Sequence, residues 1–159
     1  MNYRIEHRPA FSVMGVKRFI SFKEGSSGFG KFWNEVRQGE AGERLKTYKN
    51  DTIDGMLSIT LKSNKDDTKV TSMLGYTTNE LTPQEEFEIY HYPAASWMVI
   101  EVIGRPSKAM RPVWKAIYEG EYKPEGFTKS DLPPFEAYID DDLSSENSKN
   151  EIWLGLKNN

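Results

Sequence analysis

The chain has 159 residues and no cysteine, and its 21 Lys and Arg stand against 24 Asp and Glu for a net charge of −3. That length suits one compact domain or two closely packed subdomains, and the missing thiols exclude a disulfide scaffold, a Cys-ligated zinc site and a thiol nucleophile. The longest apolar run, residues 97–100, falls far short of the roughly 20 residues a membrane span needs, and the N-terminus lacks the apolar core of a secretory signal. Residues 131–151 carry seven acids against one lysine, and the mild positive excess elsewhere forms no basic stripe for a phosphate backbone. The expectation is a soluble cytoplasmic protein with no nucleic acid, membrane, metal or cofactor among its partners.

Alternation over residues 12–18 predicts a first strand. Gly25-Ser26-Ser27-Gly28-Phe29-Gly30 is glycine-rich but lacks the Lys-Ser/Thr of a phosphate-binding loop, so it reads as a flexible loop. Phe29, Phe32, Trp33 and Val36 recur at i, i+3, i+4 and i+7, the stripe of a helix that Gly39 stops. Strands over 56–61 and 70–76 follow, joined through the polar turn 63–67. The pattern breaks over 79–86, at Thr82-Pro83, and residues 87–92 add a short strand. A strand over 96–102 precedes a second helix stripe, Met110, Val113, Trp114 and Ile117, which Gly120 ends. Pro112 is expected in the first turn of that helix, where its missing N–H costs nothing. Strands over 135–139 and 151–156 close the chain, joined through the acidic, Ser-rich segment 140–150.

The chain also repeats itself. Pro9-Ala10-Phe11-Ser12-Val13-Met14-Gly15-Val16 matches Pro93-Ala94-Ala95-Ser96-Trp97-Met98-Val99-Ile100 at an offset of 84. Phe32-Trp33-Asn34-Glu35-Val36 matches Val113-Trp114-Lys115-Ala116-Ile117 at 81, and Met73-Leu74-Gly75-Tyr76 matches Trp153-Leu154-Gly155-Leu156 at 80. Three matches in one order predict an α+β fold of duplicated βαββ units, over about residues 1–78 and 87–157. Pseudo-two-fold symmetry, antiparallel sheets, two main helices and a groove between the halves go with it.

Successive strand residues point to opposite faces, so Trp97, Val99 and Glu101 share a face, as do Glu136 with Tyr138 and Glu151 with Trp153. An acid beside an aromatic suits a cationic or amphipathic aromatic ligand; each such strand equally describes one with a solvated face. Glu136 stands apart, because its counterpart in the first half is near Met56 and its neighbours Phe135, Ala137, Tyr138 and Ile139 are mostly apolar. Trp33 and Trp114 lie on helix stripes, which ordinarily face a core. His7 and His91 are isolated, with no triad or metal-ligand pattern around either. Asp140-Asp141-Asp142 with Glu146 lacks the glycine and spacing of a calcium loop and reads as a solvated turn.

These residues resemble the GyrI-like small-molecule-binding family, the effector-binding domain of AraC- and MerR-type multidrug regulators. The resemblance is carried by Val13-Met14-Gly15-Val16, by Trp97-Met98-Val99-Ile100-Glu101-Val102, and by the helix through Pro112, Val113 and Trp114. Most specific are Pro133-Pro134-Phe135-Glu136-Ala137-Tyr138 and Glu151-Ile152-Trp153-Leu154. The resemblance implies a ligand groove between two halves, with Glu136 as the buried countercharge for cationic aromatic drugs and Tyr138 beside it. Trp33, Trp97 and Trp153 are wall candidates by position, and Glu101 joins them from the face of Trp97. One departure is Leu154-Gly155, where the family often has Ile-Pro.

The expected assignment is a single effector-binding domain over residues 1–159, standing without a DNA-binding domain. It would bind flat, hydrophobic, cationic aromatic compounds for sensing or sequestration. Two alternatives stay open. One is a hydrolase of cyclopropane-bearing electrophilic natural products, in which Glu136 would be the catalytic residue that positions or activates water. The other is a gyrase-inhibitor-like module that binds a protein partner through the acidic turn.

Overall fold

Alternating and doubly apolar runs dominate this sequence, and they form one extended antiparallel sheet with helices on one side. The computed structural model describes residues 2–21, 25–61, 69–140 and 142–159. In chain order the elements are β1 (Tyr3–Arg8), β2 (Phe11–Ser21), α1 (Gly25–Gln38), α2 (Glu40–Lys46), β3 (Met56–Leu61) and β4 (Lys69–Thr78). Then come β5 (Glu88–Tyr92), β6 (Ala95–Ile103), α3 (Pro106–Tyr118), β7 (Phe127–Lys129), β8 (Phe135–Tyr138) and β9 (Lys149–Asn158). The strand order is β1-β6-β9-β8-β3-β4-β2-β5, with β7 added beside β9, and every pairing is antiparallel. β1 leads into β2 yet pairs with β6, placing Tyr3 opposite Ile100; β5 leads into β6 yet pairs with β2, placing Tyr92 opposite Phe11.

The two faces of the sheet bury different things. One holds an aromatic core: Phe11, Tyr92, Trp97, Phe135 and Trp153 pack with Val13, Leu57, Ile59 and Met73. Phe11 of β2 lies 6.0 Å from Trp97 of β6, although four strands separate β2 and β6 in the order. The sheet therefore curls until its ends meet over this core, in the sense its right-handed twist allows. On the other face α1 and α2 cover Met14, Leu74 and Tyr76, while α3 covers Met98, Ile100, Ile152 and Leu154. Trp33 of α1 packs against both of these clusters.

Several elements differ from the sequence reading. Gly25–Gly30, expected as a loop, belongs to α1. Gly39 ends α1 as expected, but its extended backbone then opens a second helix, α2, that no apolar stripe announced. Pro112 sits inside α3, not in its first turn; Pro106 occupies the helix start. The interior proline is tolerated on the outer face, since Lys108, whose carbonyl it leaves unbonded, is exposed with it. Gly120, with φ of 78°, lets the Glu121 N–H reach back to the Ala116 carbonyl at 3.0 Å, closing α3 in a Schellman turn. Strands β1 and β7 were not foreseen, and the predicted turn 63–67 lies outside the described residues. No helix among the described residues is long and apolar enough to cross a membrane.

Candidate functional site

β8 is only four residues long and lies near the middle of the sheet, between β9 and β3. Its two-residue period sends Phe135 and Ala137 into the aromatic core and leaves Glu136 and Tyr138 on the helix-bearing face. Above them is a cavity of about 590 Å³ between α1 and α3. Gly30 and Trp33 line it from α1, and Met110, Arg111 and Trp114 from α3, one helical stripe each. Pro106 and Ser107, from the start of α3, and Leu143, from the segment after β8, also line it.

Glu136 is the centre of its polar contacts. The Trp114 indole N–H donates to Oε2 at 2.6 Å, and the Tyr138 hydroxyl donates to Oε1. The Trp33 ring meets Tyr138 edge to face, with centroids 4.4 Å apart at 75°. Trp114 in turn stacks on Tyr118 at 5.9 Å. Burial, then the charge of Glu136 and the hydrogen bond to it, push the Tyr138 hydroxyl well above its ordinary range, so it is a donor at any physiological pH. Both donors to Glu136 are neutral, and among the described residues it makes no ion pair. Arg111 lines the same cavity from an exposed position. What results is a fixed carboxylate in an apolar enclosure of three aromatic rings, a methionine and a leucine. Its charge and apolar walls are complementary to a hydrophobic body carrying positive charge.

Of the residues named from sequence, Glu136, Tyr138 and Trp33 come together here. Trp97 and Trp153 do not: both are fully buried in the aromatic core on the opposite face of the sheet. Trp153 donates its indole N–H to Glu151, which also binds Arg4 at 2.9 Å. Glu101 is exposed, shares that opposite face with Trp97, and pairs in register with Glu151. The two-residue parity holds along these strands, but the face that carries Trp97 and Trp153 turns to the aromatic core and not to the cavity. Trp114, set aside as a core residue, makes the closest indole contact with Glu136; its match to Trp33 in the sequence repeat was the available signal. Leu143 was hidden inside what read as a solvated acidic turn. In that turn Asp142 accepts the Ser144 N–H at 3.0 Å and the Ser144 hydroxyl at 2.5 Å. These bonds, followed by the charges of Arg105 and Arg37, hold its carboxyl below the usual range.

The GyrI-like small molecule binding domain matches residues 1–157 as a family model. Among solved structures, SAV2435 bound to tetraphenylphosphonium superposes with a TM-score of 0.82 at 22% identity, covering 99% of this chain and 94% of that one. A putative bacterial transcription regulation protein from Staphylococcus aureus MU50 gives 0.79 at 22% identity, covering 99% of both. The C-terminal domain of EcmrR gives 0.67 at 14% identity, covering 99% of this chain and 98% of that one. No curated protein matches by sequence at a significant level.

Proposed function

The chain belongs to the GyrI-like small-molecule-binding family, and from that premise we propose that it captures hydrophobic aromatic cations in the cavity between α1 and α3. Glu136 is the countercharge, Trp114 and Tyr138 fix its two oxygens, and Trp33, Met110 and Leu143 supply apolar area. The observation that carries this reading is a carboxylate held by two neutral aromatic donors and, among the described residues, by no cation. A unit positive charge about 4 Å from it gains roughly 4 kcal/mol at an effective dielectric near 20, before desolvation is subtracted. SAV2435, with the same fold, has been seen with a tetraarylphosphonium, which supports the ligand class. We also read the two halves as one duplicated βαββ unit. The strand order, which runs through corresponding strands from either end, supports this. So do two cross-strand pairs between the halves, His7 with Ser96 and His91 with Ser12, each at 2.6 Å.

Calorimetric titration of the wild type and Glu136→Gln with tetraphenylphosphonium, and with neutral triphenylphosphine oxide, tests the assignment. The variant is expected to bind the cation about tenfold more weakly or worse, a loss of about 1.4 kcal/mol or more, and to bind the oxide unchanged. Equal cation affinity in both proteins overturns the countercharge role.

A further inference from the structure

Tyr138 borders more than the space above Glu136. A second cavity, of about 660 Å³, lies beyond it, and Tyr138 lines both. Helix α1 borders the two in sequence, Gly30 and Trp33 on the first and Arg37 on the second. Positions i, i+3 and i+7 share one helix face, so the three form a continuous stripe. Arg37 follows Trp33 by about one turn, roughly 6 Å along the axis.

The chemistry changes along that stripe. Arg37 from α1, Lys46 from the last turn of α2 and Lys49 just after it converge on the second cavity, where Asp54 is the acid among the described lining residues. Lys46 meets Glu43 at 3.4 Å and Lys49 meets Asp51 at 3.2 Å, and both acids are largely exposed. Ion pairs of that kind contribute little and exchange readily for a better-placed anion. Asp142 is within electrostatic reach of Arg37, so the two lysines are the cations of this cavity best placed to receive a ligand. An acid-centred aromatic chamber thus lies beside a basic one, and Tyr138 lines both.

We propose that the ligand is bipolar: a hydrophobic cationic head over Glu136, tethered to an oxyanion that Lys46 and Lys49 hold beyond Tyr138. This deepens the reading of Glu136 as countercharge and rests on it. A ligand of this kind places each charge beside its opposite, whereas a simple aromatic cation fills only the first cavity.

Phosphonium probes that differ only in the tail separate the two ideas. Affinities for hexyltriphenylphosphonium, (carboxypentyl)triphenylphosphonium and (carboxymethyl)triphenylphosphonium are measured by calorimetry on the wild type and on the Lys46→Gln/Lys49→Gln double variant. The wild type is expected to bind the carboxypentyl probe about tenfold more tightly than the hexyl one. That preference should shrink between about 0.05 and 0.5 M salt. It should vanish in the double variant, which keeps its affinity for the hexyl probe. The carboxymethyl probe, too short to pass Tyr138, should show no gain. Hexyl binding without a carboxypentyl gain overturns the bipolar ligand and leaves the Glu136 reading intact; failure of every probe to bind overturns both. A gain that is equal at the two tether lengths places the anion in the first cavity, which Arg111 lines, and a gain that survives in the double variant takes it away from the two lysines; either overturns the proposal. Should the double variant not fold, the tether comparison on the wild type decides alone.

Discussion

Tyr138 is buried, and its hydroxyl is committed to Glu136, which gives the folded protein a signature at high pH. In the unfolded chain a tyrosine ionises near pH 10, whereas burial and the neighbouring carboxylate keep this one protonated beyond that point. Above about pH 10 the unfolded state therefore binds fewer protons than the folded one, and stability falls as pH rises. Each such group contributes a slope approaching 1.4 kcal/mol per pH unit. Tyr92, buried with its hydroxyl on the Pro133 carbonyl, is raised by burial in the same direction. Urea unfolding from about pH 9 to about pH 11 is expected to show a shallower decline in Tyr138→Phe, by about one proton. At neutral pH the variant should already be about 1–2 kcal/mol less stable, because Glu136 has lost a donor. Equal alkaline slopes would mean that the Tyr138 hydroxyl ionises as freely in the folded protein as in the unfolded one. The pairing of Glu136 with Tyr138 was legible because a period of two is a local rule. The side of Trp97 was not: Trp97 and Val99 face one way, Met98 and Ile100 the other, and all four are buried. A strand apolar on both faces carries no mark of which face the helices cover.

At the scale of elements, Gly75 and Gly30 make opposite demands. Gly15 and Gly75 face each other across β2 and β4, and a Cβ on Gly75 would stand 2.0 Å from the Met14 carbonyl oxygen. The obstacle is backbone in the middle of the ten-residue pairing of β2 with β4, so Gly75→Ala should destabilise by about 2–3 kcal/mol. Gly30 lies within α1, where a Cβ would meet nothing within 4 Å. Gly30→Ala should therefore raise stability by about 0.5–1 kcal/mol, the helix-propensity difference. It should also weaken binding of bulky cations, since its methyl would enter the cavity. Thermal midpoints of the two variants, with and without tetraphenylphosphonium, read both effects. The helix stripes that place these elements were visible in sequence because Phe32, Val36, Met110 and Ile117 are buried at helical spacing. Helix α2 was not. Its seven residues bury only Gly42 and Leu45, too few to write a periodic pattern.

The whole molecule is set by where β1 and β5 go. Each precedes its own half in sequence but completes the sheet at the other: β1 on β6, and β5 on β2. No local pattern encodes that exchange, since register between strands some ninety residues apart depends on the curl of the entire sheet. The sequence repeat predicts two similar units; it carries no sign that β1 pairs with β6 and β5 with β2. The consequence is cooperative. Cut in the exposed stretch around Leu81 and Thr82, the first fragment keeps β2, β4 and β3 but loses β5. Its Phe11, Val13, Ile59 and Met73 then face water instead of Tyr92, Trp97 and Phe135. The second fragment loses β1 and the same partners in reverse. A sheet of three or four strands with one naked apolar face has little to offset the entropy of ordering its chain. The intact protein should therefore unfold in a single transition, while neither fragment should melt cooperatively alone. Mixing the fragments should restore near-ultraviolet dichroism from the buried tryptophans. A cooperative melt of either isolated fragment would show that the curled aromatic core is a junction between two independent folds and not what holds each of them together.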